Sequence, residues 1–430
     1  MINWSINRSS ISNSESPIPS LLHWFIITDN ITYLYIKKTI HDWEQRKFGN
    51  FIEEYVEKTT SQNQYPVLTS SQQVGIVLQE DYFSNRQVTT SKNIGYFVLP
   101  KGYFTYRSRS DNGVFVFNRN DSIDKGIISY FYPVFRVINA DSDFFLRRIN
   151  FGVGHQIAIA AEGTGQHVLS LKKFKDIRAM FPVIQEQVKI GNLFSQLDII
   201  ITLHQRKLEQ LEKLKQALLQ QMFPQNDETV PKLRFANFND EWEQHKLGEL
   251  GKTKSGTGFP DDEQGGEKGI PFFKVSDMNN IGNEHELKNS NNYVDEEQLK
   301  KRNWKPIMNV PAIIFAKVGA AIMLNRKRIV RIPFLLDNNT MAYIFDDSWN
   351  SDFGKVLFET IYLPRYAQVG ALPSYNGSDI NSIKIFVPNK NEQEKIGVFF
   401  KDLDNLITIH QQKLNYYKLF KQTLLQLMFV

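Results

Sequence analysis

The chain contains one long segment twice. Aligned without gaps at an offset of 206, residues 185–223 and 391–429 are identical at 21 of 39 positions. Glu186, Gln187, Lys189, Ile190 and Gly191 return as Glu392, Gln393, Lys395, Ile396 and Gly397, and Leu218, Leu219, Gln220, Met222 and Phe223 return as Leu424, Leu425, Gln426, Met428 and Phe429. A second repeated element opens each half: Trp43, Glu44, Gln45, Lys47 and Gly49 match Trp242, Glu243, Gln244, Lys246 and Gly248 at an offset of 199. A repeat of this length constrains the fold before any local pattern does, because two copies of a sequence need two copies of one architecture. Common ends around unequal middles imply a shared framework with two different specificities.

Each repeated segment lacks an internal Gly after its first turn and is bounded by Pro182 and Pro224, or preceded by Pro388, so each is expected to be one helix. At 1.5 Å per residue each would be about 58 Å long. Along the first, Ile190, Phe194, Leu197, Ile201, His204, Leu208, Leu211, Lys215, Leu218 and Met222 alternate steps of four and three. The second repeats the pattern through Leu403, Ile407, His410 and Leu414. This is a heptad seam. Neither helix can bury such a stripe alone, so the two are expected to pack as a coiled coil, the alternative being burial of each on its own domain. In an antiparallel arrangement with midpoints aligned, His204 and His410 face each other. They then either fix the register or sit at the seam's edge and reach water.

The middles, 50–184 and 250–390, are expected to be mixed α/β domains of the α+β kind. Short β-branched and aromatic runs at 65–69, 95–99, 113–118, 127–137, 270–275, 312–317, 341–345 and 383–387 alternate with turn signals. Landmarks recur in the same order in both, so one fold is expected twice. The expected organisation is an N-terminal extension at 1–40 whose order the sequence does not fix, domains at 41–184 and 242–390, helices at 185–223 and 391–430, and a linker at 224–241.

Composition narrows the chemistry. The chain has no Cys, which excludes disulfides, zinc ribbons and a thiol nucleophile and fits a reducing compartment, so a cytoplasmic location is expected. The early apolar run 21–28 is cut by Asp29 and Asn30, short of the ~20 residues a membrane span needs. Gly251, Lys252 and Thr253 imitate a phosphate loop, but Lys246 stands where its first Gly should be. Asp261, Glu286 and Lys288 do not make a nuclease centre, no Pro-Pro dipeptide marks an amino-directed methylase, and no histidines have metal-ligand spacing. No catalytic constellation and no metal site is expected.

A net charge of +5 predicts no partner by itself. Local clusters of cations with amides and aromatics do point to nucleic acid, since cations hold phosphates while Arg, Asn and Gln read base edges. One cluster is Tyr103, Tyr106, Arg107, Arg109 and Asn112; the other, near Lys317, is Asn325, Arg326, Lys327 and Arg328 with Arg331. Each follows the equivalent strand of its half. Lys172, beside Lys173, and the pair Arg147 and Arg148 add basic charge, and turns at Gly163 to His167 and Gly370 to Ser374 place Gln166, Tyr375 and Asn376 nearby. Arg107 either meets a phosphate or reads a guanine.

Taken together, the Trp-Glu-x-x-Lys-x-Gly openings, the Glu-Gln-x-Lys-Ile-Gly helix starts and the Leu-Leu-Gln-x-Met-Phe helix ends resemble the specificity subunits of Type I restriction–modification systems over about residues 41–430. The resemblance implies two target recognition domains, each reading half of a bipartite site in double-stranded DNA. It further implies an internal pseudo-twofold repeat and a pair of antiparallel helices that set the spacer and dock two methylase subunits. Methylation with S-adenosylmethionine, and restriction with ATP and Mg2+ by motor–nuclease subunits, would belong to partner chains, this chain holding no cofactor. The first half departs from the pattern, because the lead-in Pro231, Lys232, Leu233, Arg234, Phe235 and Phe238 has no counterpart there. A coiled-coil adaptor binding proteins through two related α/β domains is the competing reading, although it gives no reason for cation clusters at equivalent loops.

Overall fold

In a computed structural model of the chain, residues 43–83, 92–163, 165–225, 228–368 and 372–429 are described. The expected extension at 1–40 lies outside them. The chain forms two compact units, Met1–Thr202 with Asn415–Val430, and Leu203–Leu414.

In the first unit the opening strand, Glu44–Lys47, pairs antiparallel with Arg178–Phe181, the strand that leads into the first long helix. A four-stranded antiparallel sheet runs in the order Ile52–Glu54, Val134–Val137, Phe104–Tyr106, Phe117–Arg119. Beside it are a hairpin, Leu68–Ser71 with Gly75–Leu78, and an antiparallel pair of strands distant in sequence, Phe97–Pro100 with Lys125–Ile128. The run expected at 127–137 is thus two strands, divided where the Tyr132 amide donates to the Ser129 carbonyl just before Pro133. Phe48, Phe104, Phe135, Phe145 and Phe174 share a core with Phe194, Leu197, Leu424 and Phe429 of the long helices.

The second unit repeats the plan. Glu243–Lys246 pairs antiparallel with Lys384–Val387 ahead of the second long helix. Its main sheet runs Gly251–Ser255, Thr340–Phe345, Ala312–Ala316, Lys327–Val330. In both sheets the first strand lies beside the last, followed by the second and the third. Ala312–Ala316 is buried along its whole length, hence its unbroken apolar sequence. What differs is the periphery: the second unit adds a small sheet in which Ile270–Phe273 lies between Tyr293–Val294 and, in parallel, Leu335–Leu336.

The long helices span Ile184–Met222 and Lys390–Phe429. Within the first unit, Phe194 packs on Phe429 with ring centroids 5.9 Å apart and Lys421 pairs with Asp198. Within the second, His204 meets His410, Lys215 meets Asp404 and Phe223 meets Phe400. In each unit residue numbers rise along one helix as they fall along the other, so the helices are antiparallel. Leu197, Leu208, Leu403, Ile407 and Leu414 of the seam are buried, and Ile201 is half-buried.

The repeated Glu-Gln and Gly residues clamp each helix to its domain. The Gln187 amide accepts from the Asp141 backbone N–H at 3.1 Å and donates to the Pro182 carbonyl at 2.8 Å. Gln393 does the same with Asn350 at 2.8 Å and Pro388 at 3.0 Å. Asp141 and Asn350 are the N-caps of the short helices Ser142–Asn150 and Ser351–Thr360. Gly191 and Gly397 lie directly against those caps. The preceding glutamates diverge. Glu186 accepts from the Trp43 indole at 3.1 Å, whereas Glu392 takes a bidentate fork from Arg234 at 2.6 and 2.8 Å. The lead-in peculiar to the second half therefore supplies a helix anchor.

Candidate nucleic-acid interface

On the first unit, the turn of the hairpin Leu68–Ser71 and Gly75–Leu78 and the loop after Phe104–Tyr106 enclose a cleft of about 530 Å³. Arg107, Arg109 and Asn112 line it together with Gln72 and Gln73. Arg107 is exposed and, among the described residues, no carboxylate pairs with it. Its charge acts on Tyr132, whose hydroxyl burial nonetheless holds above the usual tyrosine range. Arg109 is also exposed, with its guanidinium 4.4 Å from the Phe131 ring centroid, which orients the cation without neutralising it. By contrast, Arg119 is tied to Asp121 and Asp143, and Arg136 to Glu53.

The strand pair Arg109–Ser110 with His167–Val168 brings the turn containing Gln166 to this loop, and the Gln166 amide donates to Asp111 at 3.2 Å. Of that turn, Thr164 lies outside the described residues. Asn112 uses its side-chain oxygen locally, accepting from the Ser110 hydroxyl at 2.8 Å and the Val114 amide at 3.1 Å. Lys172 is exposed on the helix Leu171–Asp176. In the second unit, a bridge between Val318 and Ser374 and the bond from the Tyr375 amide to the Lys317 carbonyl join the two expected landmarks there. Gly370 and Ala371 lie outside the described residues. Asn376 is the N-cap of Gly377–Asn381, accepting from the Asp379 amide at 2.9 Å.

Several expected contacts are corrected by burial. Tyr106 is fully buried, and its hydroxyl donates to the Leu169 carbonyl at 2.9 Å. Tyr375 is buried edge-on to Phe315. Tyr103 packs on Tyr55 with centroids 4.8 Å apart. The second basic cluster is largely spent on protein carbonyls. Lys327 donates to the Ile361 carbonyl at 2.6 Å, just past the helix Ser351–Thr360, and burial lowers its pKa to about 8. Asn325, in the left-handed region, accepts from the Leu363 amide at 3.1 Å, while Arg328 donates to the Asn283 carbonyl at 2.7 Å. Arg326 is half-exposed and pairs with Asn279, and Arg331 pairs with Asp352. In the first unit Arg147 pairs with Asp198, and Arg148 is buried against the carbonyls of Met180, Phe151 and Phe429. These cations are thus engaged by groups of the protein itself, with Arg326 and Arg331 remaining half-exposed.

Gln72 and Gln73 were not singled out by sequence. The only local signal is a Gln-Gln-Val-Gly turn between two short β-prone runs, with Gly75 at a φ of 78°. The hairpin is docked on the sheet by Asn118, whose amide donates to the Ser70 hydroxyl at 2.8 Å and the Ser71 carbonyl at 2.9 Å.

Among the described residues, His285, Glu359 and Asp404 are close enough together to hold a cation, but the Lys215 and Lys355 ammonium groups pair with the same carboxylates. Gly251, Lys252 and Thr253 lie on a regular strand. No helix of the described residues is long and apolar enough to cross a membrane.

Over residues 40–213 and 239–416 the sequence matches the family described as Type I restriction modification DNA specificity domain. It is 22% identical over 276 residues to the Type I restriction enzyme MjaVIII specificity subunit of Methanocaldococcus jannaschii, covering 59% of this chain and 61% of that protein. To the MjaIX specificity subunit of the same organism it is 27% identical over 273 residues, covering 58% and 59%. The chain therefore spans about three fifths of the length of these relatives. Its fold is similar to that of a Type I restriction–modification S subunit from M. genitalium, with a TM-score of 0.60 at 16% identity over 90% of this chain and 96% of that one. Two matched segments, each holding one of the unequal domains, together span most of the sequence, and the chain belongs to the Type I restriction–modification DNA specificity family.

Proposed function

We propose that this chain is the non-catalytic, sequence-reading subunit of a Type I restriction–modification complex, and that each domain reads one half of a bipartite site in double-stranded DNA. The carrying observation is one sheet order built twice, with unlike peripheries, each copy leading into one of two antiparallel helices. A common framework with unlike edges suits two half-sites of different sequence. The helices set the length of the unread gap and dock two methylase subunits. Adenine methylation with S-adenosylmethionine, and restriction with ATP and Mg2+ by motor–nuclease subunits, are then the work of partner chains.

Mapping methylated adenines genome-wide in cells with and without the gene tests this reading. The expected result is loss of a single bipartite motif on deletion. An unchanged methylation map, or cleavage of plasmid DNA by the pure chain with magnesium, would overturn it.

A further inference from the structure

The cleft of the first unit combines three properties. It is concave, with a volume of about 530 Å³. Two exposed arginines stand on one wall without a carboxylate partner among the described residues. Facing them is a tight turn whose backbone is locked: the Ser71 hydroxyl accepts from the Gln73 and Val74 amides at 3.1 and 3.3 Å.

The two amides of that turn differ in use. Gln72 donates to the Val114 carbonyl at 3.3 Å, which ties the turn to the opposite loop. The Gln73 side chain is exposed and, among the described residues, meets no donor or acceptor. A carboxamide that offers one donor and one acceptor side by side, held on a rigid turn beside unneutralised cations, matches the N6 donor and N7 acceptor of adenine in the major groove. The hairpin is a two-stranded sheet of its own, whereas among the described residues the peripheral sheet of the second unit is three-stranded, a difference between the domains of the kind a determinant of half-site identity requires.

Building on the DNA-reading function proposed above, we infer that Gln73 is a specificity-determining residue of the first domain that reads an adenine edge, with Arg107 and Arg109 holding the neighbouring phosphates. Gln72 is a positioning residue that keeps the turn in place.

The test is selection from randomised duplex DNA by the full chain assembled with its methylase subunits, using wild type, Gln73→Ala, Gln73→Glu and Arg107→Ala. Wild type is expected to select a bipartite motif. Both Gln73 variants should retain the thermal stability of the parent and the other half-site, and lose preference for adenine at one position by about ten- to a hundred-fold. Arg107→Ala should leave the motif unchanged, weaken binding to every duplex, and reduce the slope of log K against log salt by about one. A motif equally strong at every position in both Gln73 variants would overturn the inference while leaving DNA reading intact. Failure of the wild-type complex to select any motif would instead remove the functional reading itself, and this inference with it.

Discussion

Gly191 lies so close to Asp141 that a Cβ at that position would sit 2.3 Å from the carboxylate oxygen capping the neighbouring helix Ser142–Asn150. Its repeat partner Gly397 stands in the same relation to Asn350, at 2.6 Å. The glycine that looks like a weak point in each long helix is therefore what lets the helix touch its domain.

Gly191→Ala should accordingly destabilise the first unit by about 1–3 kcal/mol, although the same change in an open helix stabilises. Gly154, at the start of the helix Gly154–Ala160 with nothing within 4 Å, is the control, and Gly154→Ala should be neutral or slightly stabilising. Thermal melts of the two variants check both signs.

The Lys215 ammonium is buried between Asp404, at 2.7 Å, and Glu359. Burial opposes its charge, but the two carboxylates outweigh that cost and hold its pKa above the ordinary lysine range. Lys215→Ala should cost about 1.5–3 kcal/mol, since the buried Asp404 loses one ammonium partner while Lys355 remains. The repeat-equivalent pair of Lys421 and Asp198 is more exposed, and Lys421→Ala should cost less than about 1 kcal/mol. Denaturant titration of both variants measures the contrast.

The rings of His204 and His410 approach to 3.0 Å between their Nδ1 atoms. Desolvation, then the neighbouring His204, lowers the pKa of His410 below its usual 6.5. As pH falls through 6.5 the unfolded chain takes up a proton before the folded one does, so stability should decline until the folded pKa is passed and then level off. His285, lowered chiefly by burial, acts in the same direction. Melting temperatures measured from about pH 8 to about pH 5.5 should fall, and His410→Gln should flatten part of that slope. An unaltered slope would assign the effect to His285.

The helix pairing was legible because a heptad pattern in two matching copies leaves few places to hide an apolar stripe, and His204 opposite His410 followed from aligning the midpoints. The domain sheets were legible as short β-prone runs, though not their order, which depends on pairings between residues as distant as Ile52 and Val137. Site residues fared differently. Tyr106 resembles a ligand-stacking aromatic in sequence, yet it ends a buried strand and finds a carbonyl 63 positions away. Lys327 and Asn325 look like a basic loop until the chain near Ile361 folds over them. Gln73, the inferred reader, was invisible for the opposite reason: amides in a turn have neither period nor charge to mark them.

In each unit the strand that opens the domain is hydrogen-bonded to the strand that closes it, Glu44 opposite Phe181 in one and Glu243 opposite Val387 in the other. Entry and exit points of a whole domain therefore sit side by side on a ribbon whose opening strand is nearly the same in both units. A foreign domain built on that ribbon could be grafted between two adjacent splice points as a cassette, inheriting the anchorage of its host while bringing its own peripheral loops.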